Sequence, residues 1–378
     1  MASKFLDSRA NNFFIAADGQ NPVFHELPRL EGNFSKTYTT TTDETIVAER
    51  GSKPDVITGS SVGGDFSCNL RLSNHYEILR QGAMQSPALQ SVTITSPLTY
   101  DDGTSLLSGA DFQQIKSGMY FKLTHAAGTV VTFALSDGTA TELECENIPT
   151  GVTAFTELHT TWLETGDTKV PFYVQKRVNG YQMDNTTPQV YYRSFSGVEV
   201  FTWTVSMSTG AILTESYNLR GLSLIGNVEV PGQTDADKAN YPLTDALGAV
   251  KGVHHIDFNG IRHETCFAQN FEFSVDNQGE ENTALGTEGA CALTYKDPVI
   301  TGTLNTYAIR YNPFAEEELM DEQTTVQVGV TLYDQTQEKY MAIVGNAKLN
   351  SLESDLSGNS TIKNVGLKYS GKVYIYMM

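Results

Sequence analysis

The sequence predicts a mainly β protein: a sandwich or barrel of two related sheets with short helices, plus one small inserted β-domain. Three observations carry that prediction. The 378 residues include 32 Gly, 18 Tyr and 18 Phe, and with abundant Thr, Ser and Val this composition favours strands joined by turns. Polar and apolar residues alternate at period two along much of the chain, the mark of a sheet with one wet side. A glycine-led strand followed by a brief amphipathic helix occurs twice. The first copy is Gly64-Asp65-Phe66-Ser67-Cys68-Asn69-Leu70-Arg71-Leu72 running into Ser73–Arg80. The second is Gly302-Thr303-Leu304-Asn305-Thr306-Tyr307-Ala308, followed by Asn312–Met320.

Taken in order, residues 1–30 hold Asn11-Asn12-Phe13-Phe14-Ile15-Ala16-Ala17-Asp18-Gly19-Gln20-Asn21-Pro22, with breakers and no clear period. They read as an N-terminal arm. Thr39–Thr42 and Thr45–Ala48 read as a strand or extended β-loop leading to a turn at Arg50–Asp55. In the strand from Asp65, residues Phe66, Cys68, Leu70 and Leu72 share one face, and Asp65, Ser67, Asn69 and Arg71 the other. Asn74 and Glu77 have capping-box spacing, predicting a helix over about 73–84. A shorter helical piece is expected near 110–116.

Residues 96–168 differ in character, with ten acidic residues against Lys116 and Lys122 as the bases. Their strand phases (Tyr120–Leu123, Val130–Leu135, Glu142–Cys145) predict a small β-domain inserted into a core made of 31–95 and 169–378, since an insert needs only neighbouring ends. In that core, Phe201, Trp203, Val205 and Met207 alternate with Thr202, Thr204, Ser206 and Ser208. The chain turns at Ser208-Thr209-Gly210 and returns with Leu213, Tyr217 and Leu219 inward. Glu215 interrupts the apolar face of the return strand, which points to a subunit contact. Asn259-Gly260 predicts a tight hairpin. Phe271, Phe273 and Val275 alternate with Glu272, Ser274 and Asp276. A second hairpin sets Val326, Val328, Val330 and Leu332 inward and Thr325, Gln327 and Thr331 outward, with Tyr340, Ala342 and Val344 on its return. A helix is expected at about 313–320.

Composition also excludes functions. With 25 basic against 44 acidic residues the net charge is −19. Phosphate affinity comes from Lys and Arg, so DNA could pass such a surface without sticking to it. No apolar run approaches the roughly 20 residues of a membrane helix. Met1–Asp7 lacks the apolar core and cleavage site of a secretory signal, so a soluble protein made in the cytoplasm is expected. Cys68, Cys145, Cys266 and Cys291 have no CxxC spacing and read as reduced structural thiols. His254-His255-x-Asp257 offers metal-ligand types, but adjacent strand residues point to opposite faces and share no ion without a bulge. Asp101-Asp102 and Glu280-Glu281 are read as solvated pairs, and Glu316–Glu318 suit a helix N-terminus. Phosphate loop, GxSxG and HExxH are all missing, and Gly63-Gly64 precedes a strand rather than a helix. Neither enzyme activity nor a cofactor or metal is expected.

The serial order of these pieces resembles the tail tube proteins of long-tailed, siphovirus-type bacteriophages, in their larger duplicated group with an inserted β-domain. The resemblance is carried by Val62–Leu70, Pro171–Arg177, Phe195–Val200 and Leu222–Gly226 in the first half. In the second it is carried by Asn270–Asn277, Ile300–Leu304 and Tyr340–Val344. Phe112–Tyr120 looks like the small β-modules that vary between members. The resemblance implies a virion structural protein of the tail, with no catalytic residues, assembled in the host cytoplasm. Six subunits would join sheets around a channel, and the rings would stack into a tube. The channel would hold a tape-measure protein and later conduct DNA without specific binding, and tail terminator and distal tail proteins would cap the tube. On that frame Thr202, Thr204, Ser206, Thr325, Gln327 and Thr331 are candidate lumen-facing residues. The stretch Thr37–Ser61, with Thr45, Glu49, Arg50 and Lys53, is a candidate inter-ring loop. The alternative is a virion-surface or baseplate module that recognises carbohydrate or receptor through the insert, with aromatics such as Trp162 and Tyr173. A capsid subunit is disfavoured because a long spine helix is missing.

Overall fold

A computed structural model of the chain describes residues 11–28, 31–42, 55–146, 148–181, 188–236, 244–258, 261–263, 268–307, 315–355 and 362–378. The first half contains β1 (Asn11–Ala17), β2 (Val23–Leu27), β3 (Glu31–Thr42), β4 (Asp55–Asn69) and α1 (Glu77–Met84). A module follows, of β5 (Gln90–Asp101), β6 (Leu106–Ser108), β7 (Tyr120–His125), β8 (Gly128–Phe133), β9 (Glu142–Glu144) and β10 (Ala154–Glu164). The half is completed by β11 (Phe172–Tyr181), β12 (Pro188–Ser208) and β13 (Thr214–Gly221), then the short β14 (Ser223–Gly226), β15 (Thr234–Asp235) and α2 (Ala249–Gly252). The second half runs β16 (Val253–Phe258), β17 (Ile261–His263), β18 (Ala268–Asp276), the hairpin β19 (Glu280–Thr283) and β20 (Ala290–Thr294), then β21 (Val299–Tyr307) and α3 (Ala315–Asp321). It ends with β22 (Thr325–Asp334), β23 (Lys339–Asp355) and β24 (Ile362–Met377).

The pairings show that the duplication reaches well beyond the strand–helix unit. In the first half the ladder runs β2–β1–β11–β12–β13–β4–β3. In the second it runs β17–β16–β22–β23–β24–β21–β18, with each strand at the same place in chain order. The register agrees as well. Gly64 lies opposite Leu219 and Gly302 opposite Leu367. A bulge between Val200 and Thr202 on β12 is matched by one between Leu349 and Ser351 on β23. The halves join through β12 and β18, Thr202 opposite Asp276 to Ser208 opposite Asn270.

Three local expectations are corrected. Residues 11–27, read as an arm, are strands inside the first sheet, where Phe13 and Ile15 are buried in the core. The breakers at Asp18–Pro22 make the turn between them. No helix forms at 110–116; the Asp111 and Asp137 carboxylates accept the backbone N–H of Gln113 and Ser117, a local competition that favours turns. Helix α1 begins at Glu77 after a 3-10 turn at Asn74–Tyr76, and no side chain caps it.

Two cores result. The first lies beneath both halves and includes Phe66, Trp203, Tyr217, Phe273 and Val330, with Trp203 stacked on Tyr217 and edge-on to Phe273. The second fills the module but borrows Tyr340, Ala342, Val344, Tyr376 and Met378 from β23 and the C-terminus. Met341 and Ile343 serve the first core and their neighbours the second, so this part of β23 is buried on both faces. The module is also tied in by backbone, β10 pairing with β24 from Thr161–Met377 to Glu164–Tyr374. Cys68 and Cys145 are buried free thiols, one in each core. Cys291 is exposed, and Cys266 lies outside the described residues.

Glu215 is not at a surface. It is fully buried, with Arg80 of α1 donating Nε to Oε1 at 2.9 Å and Nη2 to Oε2 at 3.0 Å. At the equivalent place in the second half, Lys363 of β24 meets Glu316 of α3 at 2.7 Å, both nearly buried. Each pair fastens a short helix over the end of its sheet.

Candidate functional site: a polar face across both halves

On the side of the sheet away from the first core, opposed residues form transverse polar rows. Directly paired residues share a face, so the register alone gives the rows. One crosses nine strands: Glu31 (β3), Ser67 (β4), Ser216 (β13), Thr204 (β12), Ser274 (β18), Thr301 (β21), Lys368 (β24), Lys348 (β23) and Thr325 (β22). A second runs Thr214, Ser206, Glu272, Thr303, Gly366 and Ser351. A third runs Asn33, Asp65, Asn218, Thr202 and Asp276. The rows do not break at the joint between the halves, where Thr204 and Ser274 share a hydroxyl hydrogen bond of 3.1 Å.

Hydroxyls and amides dominate this face, and its charges are sparse and mixed. Asn218 donates to Asp65 at 2.7 Å, and Arg220 lies 3.7 Å from Glu281. Such a surface holds water well, and the cations on the three rows are two lysines, Lys348 and Lys368, opposite one another near one end of the first. Its chemistry is that of a wetted, weakly interacting wall.

The six residues singled out from sequence separate into two environments. Thr202, Thr204, Ser206 and Thr325 lie on these rows. Gln327 and Thr331 lie further along β22, on the non-core side as the alternation predicts, but there the module roofs the sheet. Thr331 is fully buried, opposite His255 and Ala342, and Gln327 sits beside Gly118 of the module. Thr325, at the strand start, is exposed. The roof is held by Tyr120, whose hydroxyl donates to Asp257 at 2.5 Å, and by Arg262, which donates to the Val131 carbonyl. Burial and the Asp257 carboxylate push the Tyr120 phenol well above its usual pKa. Burial opposes ionisation of Asp257, but His255, Arg262 and Tyr120 together hold its carboxyl below the usual range.

Thr45, Glu49, Arg50 and Lys53 lie outside the described residues. The flanking arms of β3 and β4 form an exposed hairpin showing Tyr38, Val56 and Ile57, each about half exposed. The β19–β20 hairpin braces its base, with Glu288 accepting from Lys36 at 3.0 Å and its carbonyl accepting from Ser60 at 2.9 Å. This hairpin occupies in the second half the place of the β3–β4 excursion in the first, a correspondence that shows only once the strands are paired.

A bulge between Val253 and His255 does bring His254 and His255 together, Nδ1 to Nδ1 at 2.6 Å. Among the described residues, however, no group of three His, Cys, Asp or Glu is placed to hold a metal ion. Trp162 packs against the second core and Tyr173 beside Phe24, so neither aromatic stands free on the surface. No helix among the described residues is long and apolar enough to cross a membrane.

A family model described as phage tail tube protein matches residues 16–355. None of the curated proteins matches the chain.

Proposed function

Because this chain belongs to the phage tail tube protein family, a family of structural rather than enzymatic proteins and a component of the virion tail, we propose that copies close edge to edge into rings around a channel. The rings stack into a tube that holds a tape-measure protein during assembly in the host cytoplasm and later conducts DNA. Terminator and distal tail proteins would close its two ends. The observation that carries the reading is the polar face, which crosses both halves unbroken and is bordered by β3 and by the part of β23 beyond Lys348, each paired along one edge among the described residues.

Strand geometry bears on ring size. One chain supplies β3, β4, β13, β12, β18, β21, β24 and β23 to the polar face. With strands about 4.8 Å apart and tilted about 40°, three chains give a wall about 50 Å across between backbones, and six chains about 100 Å. A bore of the larger size far exceeds a DNA duplex. We therefore propose three chains per ring, six half-units in all, in place of the six subunits that the resemblance implies.

Electron microscopy of the purified protein tests both points. Rings or tubes with three copies per ring are expected; rings of six copies would overturn the stoichiometry, and a discrete monomer at high concentration would overturn the role. The stretch Thr37–Ser61 is assigned to contacts between stacked rings. Deleting about ten residues within it should leave folded chains that no longer extend into tubes, and normal tubes would overturn that assignment.

A further inference from the structure

The joint inside the chain is a template for the joint between chains. In the duplication, β23 stands where β12 does, and β3 stands where β18 does. The matched bulges equate Thr202 with Ser351 and Thr204 with Glu353. Phe34 opposite Gly64 corresponds to Phe273 opposite Gly302, which equates Ser35 with Ser274 and Thr37 with Asp276. Within the chain, β12 beyond Val200 pairs with β13 on one edge and β18 on the other. Its counterpart, β23 from Leu349 to Asp355, pairs with β24 on one edge, and β22 stops at Lys348. From Asn33 to Thr37, β3 pairs with β4 on one edge. Among the described residues neither segment has a strand on its second edge.

From this we infer that β23 of one chain pairs antiparallel with β3 of a second copy, in the register of the β12–β18 joint. Ser351 then lies opposite Thr37 of the partner subunit, Glu353 opposite Ser35 of the partner subunit, and Asp355 opposite Asn33 of the partner subunit. The inference rests on the ring-closure reading above and adds the residue register to it.

The chemistry of the two joints differs as their histories require. The inner joint is permanent and apolar beneath, with Trp203 opposite Val275 and Val205 opposite Phe273. At the positions equivalent to Trp203 and Val275 the outer joint has Leu352 and Lys36, both half-buried, while Phe34 stands buried in the place of Phe273. A lysine on a strand edge discourages indiscriminate pairing while the chain is alone, and its alkyl stem can still lie along an apolar neighbour. On the polar side the Thr204–Ser274 hydroxyl pair is replaced by Glu353 and Ser35, a carboxylate able to accept from a hydroxyl. The outer edge is thus built to remain soluble until its one complementary edge arrives.

The test is disulfide mapping on assembled particles. Directly opposed strand residues bring their β-carbons within reach of a disulfide. A chain with Glu353→Cys and Ser35→Cys, mildly oxidised after assembly, is expected to give a ladder of covalent multimers. Each single substitution, and the frame-shifted pair Glu353→Cys with Asn33→Cys, should not give it. Thr204→Cys with Ser274→Cys, in the same geometry, should close within one chain and calibrates the yield. If the cysteine chains do not assemble, hydrogen exchange on the unmodified protein replaces them: amides of 33–37 and 349–355 should gain protection on assembly. Rings whose cross-links favour the shifted pair, or whose two segments exchange as before, overturn the register while leaving ring closure intact. Failure of the unmodified chain to form rings overturns ring closure itself, and the register with it.

Discussion

In the first half, α1 brings a cation to the sheet, Arg80 onto Glu215; in the second, α3 brings an anion, Glu316 onto Lys363. The scaffold is the same and the polarity of the buried pair is reversed. Two tandem copies of one fold risk docking a helix on the wrong sheet, and the reversal opposes that error. Exchanged helices would set Arg80 against Lys363 and Glu316 against Glu215, and like charges brought together without water are strongly unfavourable. The lesson is that a duplicated chain keeps its halves distinct at the few positions where they could be confused.

The largest expected effect comes from breaking this contrast. Burial alone would lower the Arg80 pKa, but the Glu215 charge and the paired hydrogen bonds keep it raised. Arg80→Met strands a fully buried carboxylate and should destabilise the chain by about 3–5 kcal/mol, whereas Arg80→Met with Glu215→Leu should recover most of that loss. Lys363→Met should cost less, about 2 kcal/mol, because Glu316 keeps a little access to solvent. Urea unfolding of the three variants measures the order. Equal losses in the two halves would mean that the pairs differ in sign and in nothing else.

The next comparison is between equivalent glycines. A β-carbon on Gly64 would lie 1.4 Å from the Asn33 carbonyl oxygen, and one on Gly302 would lie 2.8 Å from that of Glu272. Gly64→Ala must push β3 off β4, for about 3 kcal/mol, while Gly302→Ala asks for a small shift, about 1 kcal/mol. Because β3 also carries the proposed outer edge, Gly64→Ala should impair ring assembly beyond its effect on melting. Particle yield set against melting temperature separates the two effects.

Much of this was legible in the sequence, and the limits have physical causes. Period two placed Phe66, Trp203, Phe273 and Val330 in the core because each strand buries one face. The twice-used glycine marked the duplication because β3 and β18 crowd those two positions. Period two misjudged Glu215, whose partner Arg80 lies on a helix distant in sequence; a charge on an apolar face signals a need for a partner without naming it. It also could not separate Thr202 from Thr331. Both face away from the core, and only the module, folded back over β22 and β23, decides which of them meets water. Residues 11–27 were missed because β1 and β2 are short and closely followed by breakers, so their strand character comes from pairing, β1 with β11 and β2 with β1.

A third contrast concerns acid. His25 on β2 lies opposite Ile15 on the core face of its sheet, whereas Arg262 on β17 lies opposite Asp257 on the face that meets the module. Burial is the main cause that lowers the His25 pKa to about 4; its bond to the His75 carbonyl acts the other way, and the charge of His75 lowers it further. The folded chain therefore holds His25 neutral, while the unfolded chain takes up a proton near 6.5. Stability from this site is complete above about pH 6.5 and is lost as the pH falls towards 4, reaching about 2 kcal/mol of loss at pH 5. Thermal melts at pH 7 and pH 5 should show the drop, and His25→Gln should flatten it. A loss that survives His25→Gln would place the acid-sensitive element elsewhere.

The smallest effect sharpens the reason the module roofs the second half and not the first. In the second half Asp257 and Arg262 point away from the first core, and both reach the module through Tyr120 and Val131. Tyr120→Phe removes one hydroxyl from Asp257 but keeps the ring against Phe133 and Tyr376. Asp257 retains His255 and Arg262 within 3.2 Å, so the cost should be about 1–2 kcal/mol. It should also be local. Hydrogen exchange is expected to quicken in β7 and β10 and to stay unchanged in β4 and β13, since the apolar contacts of Tyr340, Ala342 and Val344 still hold the module down. Faster exchange across both halves would show instead that the roof is part of one cooperative unit with the sheet it covers.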